Sequence, residues 1–168
     1  MRSFGVPLST LHSPLRRQLL LLPVMSVPVA FLGHRACALA STTPCVADLK
    51  IQSDGDFLAF TPEELTCQTE AQVRLWFHHA GKRVMQEHNW VLVMPGSEDA
   101  VEQAAIQAGE KSGWLPSGDK NVLAATPMCG LGKTEMIEFV APAPGDYPFI
   151  CSFPGHGAEM RGVLHVTR

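Results

Sequence analysis

The side chains best suited to bind a metal ion lie near the C-terminus of the 168-residue chain. Cys151, His156 and Met160 offer a thiolate, an imidazole and a thioether within ten residues, and His88 offers a second imidazole far upstream. Two histidines and one cysteine in a trigonal arrangement, with a weak and distant methionine, form the blue-copper site of electron-transfer proteins. The sequence therefore predicts one copper ion bound by these four residues.

The alternative roles considered for these four residues each leave at least one of them without a function. A structural zinc site recruits four strong ligands, and the thioether of Met160 is a poor one. A cysteine activated by a neighbouring histidine would be a nucleophile, but His88 and Met160 would then have no role. A single buried cysteine or methionine is most often a packing residue. It is the joint spacing of the four that favours copper.

The composition excludes several functional classes. Hydrophobic residues make up 46% of the chain, which is too much for a wholly disordered protein. The formal net charge is −3, whereas a general nucleic-acid binder carries a basic excess that neutralises phosphates. The length suits one domain. We therefore expect a single folded domain without a nucleic-acid partner.

The first 40 residues differ in charge from the remainder. They contain four arginines and no acidic residue, whereas all 16 acidic residues lie from Asp48 onward. Arg16 and Arg17 precede an almost wholly apolar run over 19–32, which is shorter than the roughly 20 residues that a transmembrane helix needs. Small residues over 36–40 suit a cleavage site. Such a leader is typical of an export signal.

The predicted domain boundaries follow from this leader. We expect an export signal peptide over residues 1–40 and a mature periplasmic domain over residues 41–168 without a membrane span. The arginine pair resembles that of a twin-arginine export signal. An uncleaved N-terminal anchor is the alternative interpretation, and initiation at Met25 would shorten the leader. Export would place the mature cysteines where disulfide bonds persist.

The mature region alternates between short apolar runs and turn residues. In one run, Val73, Leu75 and Phe77 recur at every second position. Period-two runs at this spacing predict an antiparallel β-sandwich or β-barrel. The predicted strands lie at 49–52, 57–60, 73–77, 89–94, 136–140, 147–152 and 162–166.

One segment, 97–113, has the periodicity of a helix instead. Ser97 is suited to cap its free N–H groups, and the acids Glu98 and Asp99 at its start with Lys111 near its end suit the helix dipole. The prediction is an all-β domain with one amphipathic helical insertion that covers the side of the barrel.

Three stretches of the chain resemble azurin and its relatives the auracyanins, which are blue copper proteins of the cupredoxin class. They are HNWVL at 88–92, YPFICSFPGH at 147–156 and MRGVL at 160–164, and the resemblance extends over about 48–167. It implies a Greek-key cupredoxin barrel with copper at one end, which shuttles single electrons between redox partners. The positions that match the family's ligands are His88, Cys151 and His156 as equatorial ligands and Met160 as the axial ligand.

The resemblance also assigns roles to residues around the ligands. The side chain of Asn89 would tie the ligand loops together, and its backbone N–H would bond the sulfur of Cys151. Hydrogen bonds to that sulfur stabilise the thiolate and raise the reduction potential. Azurins usually have a glycine, with a weakly liganding carbonyl, where this chain has Glu87. We expect the side chain of Glu87 to be solvated.

The resemblance bears on the cysteines as well. Azurins join a cysteine at the start of the first strand to one near the end of the second, which implies a Cys45–Cys67 disulfide bond here. Cys129 has no counterpart and is either an odd thiol or a competitor for one of these two. Cys37 would leave with the signal peptide.

The remaining histidines and tryptophans have more ordinary expected roles. Adjacent residues of a strand point to opposite faces, so His78 and His79 are expected at a solvated strand end and not in a second metal site. His165 is expected to be an exposed strand residue. The three tryptophans are expected in the core or at its rim: Trp76, Trp90 and Trp114.

An apolar rim is expected around an exposed edge of His156, formed by Met85, Phe153, Pro154 and Ala158. Redox partners would dock there through the small, transient interface that is typical of redox encounters.

The function predicted is that of a monomeric single-electron carrier and not of an enzyme. A periplasmic protein that stores or delivers copper is the alternative. A third interpretation is an accessory subunit of an oxidase or nitrite reductase, which would require a stable partner.

Overall fold

The computed structural model describes residues 45–83 and 86–168. The predicted signal peptide and Met85 lie outside the described residues. Among the described residues, none of the helices has the length and apolar character that crossing a membrane requires. The elements, in chain order, are β1 (Val46–Ser53), β2 (Phe60–Thr61), β3 (Glu64–Gln68), β4 (Gln72–His78), β5 (Val91–Val93), α1 (Glu98–Ala108), a 3₁₀ helix (Glu110–Ser112), β6 (Val122–Ala125), β7 (Thr134–Val140), β8 (Gly145–Ile150) and β9 (Arg161–Thr167).

The strands form two sheets. One has the order β2-β1-β4-β7, and the other has the order β3-β9-β8-β5-β6. Most neighbours are antiparallel, but β1 pairs in parallel with β4, and β3 pairs in parallel with β9. Parallel neighbours need a crossover connection, which local periodicity does not reveal. The prediction of an all-β domain with one helical insertion is confirmed, and the predicted antiparallel pairing holds for all described strand pairs except these two.

The inward-facing side chains form the hydrophobic core. Along β4, Val73, Leu75 and Phe77 are fully buried, as their alternation predicts. Phe60 lies edge-on to Phe77 and to Phe149, with ring centroids 5.8 Å and 5.3 Å apart, an arrangement that aromatic pairs prefer. Burial of each such side chain contributes about 1.5–3 kcal/mol. This core holds the strand ends from which the ligand-bearing segments leave.

Some strands differ from the prediction. The run 57–60 is mostly irregular, because only Phe60 enters a strand and Phe57 is 74% exposed. Neither β3 nor β6 was predicted. The inward-facing side chains of β3 are only Leu65 and Cys67, so its periodic signal is weak.

The helical insertion is shorter than predicted. Helix α1 ends at Ala108, and Lys111 lies beyond it in the 3₁₀ helix. The hydroxyl of Ser97 does not cap α1 but donates to Met94 O at 2.5 Å. The expected side-chain cap is therefore wrong, although the acidic first turn is present. Val101 and Ala105 are buried and attach α1 to the barrel.

The expected disulfide bond is absent from the described part of the chain. Cys45 and Cys67 are both free thiols; Cys45 is exposed and Cys67 is buried. The two lie close enough for Cys45 to contribute, after burial, to the raised pKa of Cys67. The prediction of this bridge is wrong for the described residues; a disulfide bond requires a specific Cα and Cβ geometry, which the separation of two cysteines along the sequence does not define. Cys129 is an odd thiol, also buried and free.

Candidate metal centre

His88 is placed by a short backbone bridge at the entrance to β5. Its N–H donates to Cys129 O at 3.2 Å, and Cys129 N–H donates to His88 O at 2.7 Å. The side chain of His88 is turned inward, and the residue is 2% exposed. The bridge therefore anchors the first imidazole to the segment that precedes β7.

The loop between β8 and β9 carries the other three predicted ligands. Cys151 N–H donates to Met160 O at 3.0 Å, which joins the two ends of the loop. Within it, His156 N–H donates to Phe153 O at 3.0 Å, and Met160 N–H donates to His156 O at 2.8 Å. Cys151 and Met160 are fully buried, and His156 is 4% exposed. These bonds bring three residues that are spaced along the sequence into one tight turn.

The donor atoms of His88, Cys151 and His156 converge. The Nδ1 atoms of the two histidines lie 3.1 Å apart. Cys151 Sγ lies 3.8 Å from His88 Nδ1 and 3.7 Å from His156 Nδ1. Among the described residues, these three form the one cluster of His, Cys and carboxylate groups with the spacing of a metal site.

These distances fit a single bound ion. Metal bonds to imidazole nitrogen and thiolate sulfur are about 2.0–2.3 Å long, so two ligands of one ion are separated by at most about 4.6 Å. All three pairs of donor atoms are closer than this limit. A thiolate with two imidazoles suits copper, zinc and other soft or borderline cations.

The thiol of Cys151 is held in an environment that opposes its ionisation in the absence of a metal. Burial raises the pKa of Cys151 to about 11, and backbone hydrogen bonds from Asn89 and Phe153 offset part of this rise. The charge of Glu102 on α1 raises the pKa further. The thiolate is the form that binds metals. The positive charge of a bound cation must therefore stabilise the thiolate of Cys151, which the buried environment disfavours.

Both imidazoles are kept neutral. Burial, then the charges of His79 and His156, lowers the pKa of His88 to about 4. Burial also lowers the pKa of His156. A neutral imidazole has one nitrogen with a free lone pair. At neutral pH each of the two histidines can therefore bind a cation through one ring nitrogen.

Asn89 joins the two ligand-bearing segments, as the resemblance implied. Its Oδ1 accepts from Ser152 N–H at 2.8 Å, and its Nδ2 donates to Ser152 Oγ at 2.8 Å. Its backbone N–H bonds the sulfur of Cys151. The bond from the Phe153 amide to the same sulfur was not predicted from the sequence.

His79 contradicts the expectation of a solvated strand end. It is fully buried, and its ring centroid lies 4.6 Å from that of His88. Gly81 N–H donates to His79 Nδ1 at 3.1 Å, so the ring proton is on Nε2, which donates to Gln86 O at 2.8 Å. The signal was present in the sequence: His79 continues the inward-facing series that ends at Phe77. His78 does face outward, and its Nδ1 is 3.0 Å from Thr134 Oγ1.

Of the expected apolar rim, Phe153 contacts His156, which is itself only 4% exposed and not exposed at one edge as expected. The ring of Phe153 stacks on that of His156, with centroids 4.5 Å apart. Phe153 and Pro154 are half-buried, and Ala158 is exposed. The side chain of Glu87 is exposed, as expected.

The other singled-out residues do not contribute to the donor cluster. His165 is half-exposed on β9, and its Nδ1 is 2.7 Å from Asp146 Oδ1. Trp90 is buried in the core, whereas Trp76 and Trp114 are half-buried.

Comparison with known proteins identifies the family. Residues 47–167 match the family described as copper binding proteins of the plastocyanin/azurin family. The chain belongs to this family. Copper is therefore its cofactor, and the buried donor set of one thiolate and two imidazoles agrees with that assignment.

Individual relatives support the same conclusion. Auracyanin-A from Chloroflexus aurantiacus is 36% identical over 121 residues, which cover 71% of this chain and 74% of the relative. Azurin from Bordetella pertussis is 46% identical over 94 residues, which cover 53% of this chain and 63% of the azurin. The structure of reduced auracyanin from Roseiflexus castenholzii aligns with a TM-score of 0.68 at 38% identity and covers 74% of this chain and 99% of the auracyanin. The cupredoxin fold expected from the resemblance is thereby confirmed.

Proposed function

We propose that His88, Cys151 and His156 bind copper as equatorial ligands, with Met160 as the axial ligand, and that the protein carries single electrons. The observation that supports this most directly is the convergence of the three donor atoms in a buried pocket, with separations of 3.1, 3.7 and 3.8 Å. Copper bound there would supply the one-electron couple between Cu(I) and Cu(II).

The protein's own hydrogen bonds hold the donors together. Backbone hydrogen bonds close the ligand loop, and Asn89 ties that loop to the segment of His88. Ligands held in this way move little when the bound ion gains or loses an electron, and this favours rapid electron exchange. The similarity to auracyanin and azurin, whose family resemblance implies electron carriers, supports a carrier and not an enzyme.

The test is the visible spectrum of the copper-loaded protein. Charge transfer from the thiolate sulfur to Cu(II) gives intense visible absorption in a site of this type. We expect Cys151→Ser to abolish the absorption and Cys129→Ser, which alters another buried free cysteine, to preserve it. A colourless wild-type protein, or an unchanged spectrum in Cys151→Ser, would refute the ligand assignment.

We further propose that partners exchange electrons at the apolar rim beside His156. Ala158 is exposed in this part of the loop, and Ala143, in the turn before β8, is exposed as well and serves as the control position. Because the physiological partner is unidentified, the probe is electron self-exchange between oxidised and reduced copies, measured by NMR line broadening. Ala158→Glu is expected to slow it at least tenfold and Ala143→Glu to leave it unchanged. Equal rates in both variants would refute this docking site.

Copper delivery is the competing function, and the burial of the donors argues against it. His88, Cys151 and His156 are at most 4% exposed, whereas transfer of the ion to an acceptor requires access to it. A carrier retains its copper through repeated reduction and oxidation in the presence of a copper(I) chelator. Loss of most of the copper in the first cycles would favour delivery.

We also propose export of the chain and a monomeric state. The acid-free leader supports export.

The charge of the remaining chain supports a monomeric state. Residues 41–168 contain 9 basic and 16 acidic residues, so their net charge is 9 − 16 = −7. Repulsion between copies with this charge favours monomers. N-terminal sequencing of protein from the periplasm and sedimentation analysis test the two points.

A further inference from the structure

Trp114 lies at the end of the helical insertion in a backbone conformation that is rare for a large side chain. Its φ is 52°, and that of the preceding Gly113 is 65°. The left-handed region costs a residue with a side chain about 1–2 kcal/mol, so contacts with neighbours must hold Trp114 there. One is the bond from Trp114 N–H to Gly109 O at 3.1 Å.

The carbonyl of Trp114 is bonded to the ligand loop. Ser152 Oγ donates to Trp114 O at 2.6 Å, and the same hydroxyl accepts from Asn89 Nδ2 at 2.8 Å. Ser152 directly follows Cys151 and is fully buried. A continuous chain of hydrogen bonds therefore joins the segment of His88, the ligand loop and the end of the helical insertion.

The ring of Trp114 contacts the same loop at the next residue. It lies edge-on to Phe153, with centroids 6.0 Å apart at 65°. Phe153 stacks on His156 with centroids 4.5 Å apart, and its amide bonds the sulfur of Cys151. Trp114 thus contacts Ser152, which directly follows Cys151, and Phe153, which contacts both the sulfur of Cys151 and the ring of His156.

We propose that Trp114 is a positioning residue that sets the reduction potential of the copper centre by holding Ser152 and Phe153 against Cys151 and His156. This inference rests on the proposed function. Hydrogen bonds to the thiolate sulfur raise the reduction potential, so a loosened Phe153 amide lowers it. The contacts of Trp114 with the ligand loop offset the conformational free-energy cost of its left-handed backbone.

Trp76 provides the matched control. It is also half-buried, but it lies on the outward face of β4, with the Arg74 guanidinium 5.7 Å from its ring centroid. Its removal takes away a tryptophan of similar exposure without touching the ligand loop. A general effect of losing a surface aromatic residue would therefore appear in both positions.

The experiment is potentiometry of copper-loaded variants. Trp114→Ala is expected to shift the equilibrium constant for electron exchange with a reference couple three- to tenfold towards the oxidised protein, where tenfold is about 59 mV for one electron. Trp114→Gly, which accepts the positive φ and keeps the carbonyl bond, should shift it less. Trp114→Phe, which keeps an aromatic ring against Phe153, should have the wild-type reduction potential. Trp76→Ala should have the wild-type reduction potential as well.

A second measurement requires no copper. In the metal-free protein, the amide hydrogen of Phe153 should exchange with solvent at least tenfold faster in Trp114→Ala than in wild type or Trp76→Ala. If Trp114→Ala does not fold, the pair Trp114→Gly and Trp114→Phe decides.

Two results would overturn the inference. They are a wild-type potential in both Trp114→Gly and Trp114→Ala, and an equal shift in Trp76→Ala. A colourless wild-type protein would instead refute the proposed function, so the two failures are distinguishable.

Discussion

Replacement of Asn89 by alanine tests how strongly the metal-free protein holds its ligand segments together. Asn89 makes two buried side-chain hydrogen bonds to Ser152, both 2.8 Å long. A net hydrogen bond contributes about 1 kcal/mol, and a buried polar group left without a partner costs about 1–3 kcal/mol. The amide of Ser152 would lose its partner, whereas the hydroxyl would keep Trp114 O. We expect Asn89→Ala to lower the free energy of unfolding by about 2–4 kcal/mol.

The assay is urea denaturation of the metal-free protein, followed by circular dichroism. Copper must be absent because a ligand that binds only the folded state would add its own stabilisation. Asn121→Ala is the control, since Asn121 is half-buried and bonds Asp119 through its backbone N–H. A change within about 0.5 kcal/mol is expected for it. A loss below about 1 kcal/mol in Asn89→Ala, or an equal loss in both variants, would refute the reasoning.

Three further predictions concern protons and packing. Because the pKa of Cys151 is about 11, Zn²⁺ added to the metal-free protein at pH 7 should release about one proton per ion, measured in weak buffer; release of none or two would contradict this. The pKa of His88 falls from 6.5 to about 4 on folding, so the unfolded chain binds more protons between these values. The free energy of unfolding of the metal-free protein should therefore be greatest above pH 6.5 and decline towards pH 4, and a flat profile would argue otherwise. At Gly81 an added Cβ would lie 2.6 Å from His79 Cε1, so Gly81→Ala should cost about 1–3 kcal/mol in urea denaturation. Gly130→Ala, whose nearest neighbour would be 3.7 Å away, should cost little, and equal losses would exclude the contact with His79 as the cause.

Electrostatics and hydrogen bonding act in opposite directions at this centre. Burial opposes the charged forms of Cys151, His88 and His156, which keeps the imidazoles neutral and the thiol protonated without a metal. The amides of Asn89 and Phe153 favour the thiolate. The protein therefore presents ready nitrogen donors together with a sulfur donor that ionises when a cation arrives.

Residue types and local spacing were informative wherever neighbours along the chain remain neighbours in the fold. The loop from Cys151 to Met160 closes on itself through short backbone bonds, so its donors could be grouped from their sequence positions. Alternation along β4 likewise predicted which of its side chains are buried. The same alternation would have placed His79 in the interior, had it been extended two residues beyond Phe77.

The features that escaped prediction depend on elements distant in sequence. Whether Cys45, which directly precedes β1, bonds Cys67 of β3 depends on how these two strands of different sheets lie relative to each other. The contact of Trp114 with the ligand loop arises because two left-handed residues turn the chain after the helical insertion. Periodicity and motif spacing record which face of an element is apolar and which donors are present. Parallel pairing, thiol alignment and the support behind each ligand are set by packing between elements, which no local window of sequence contains.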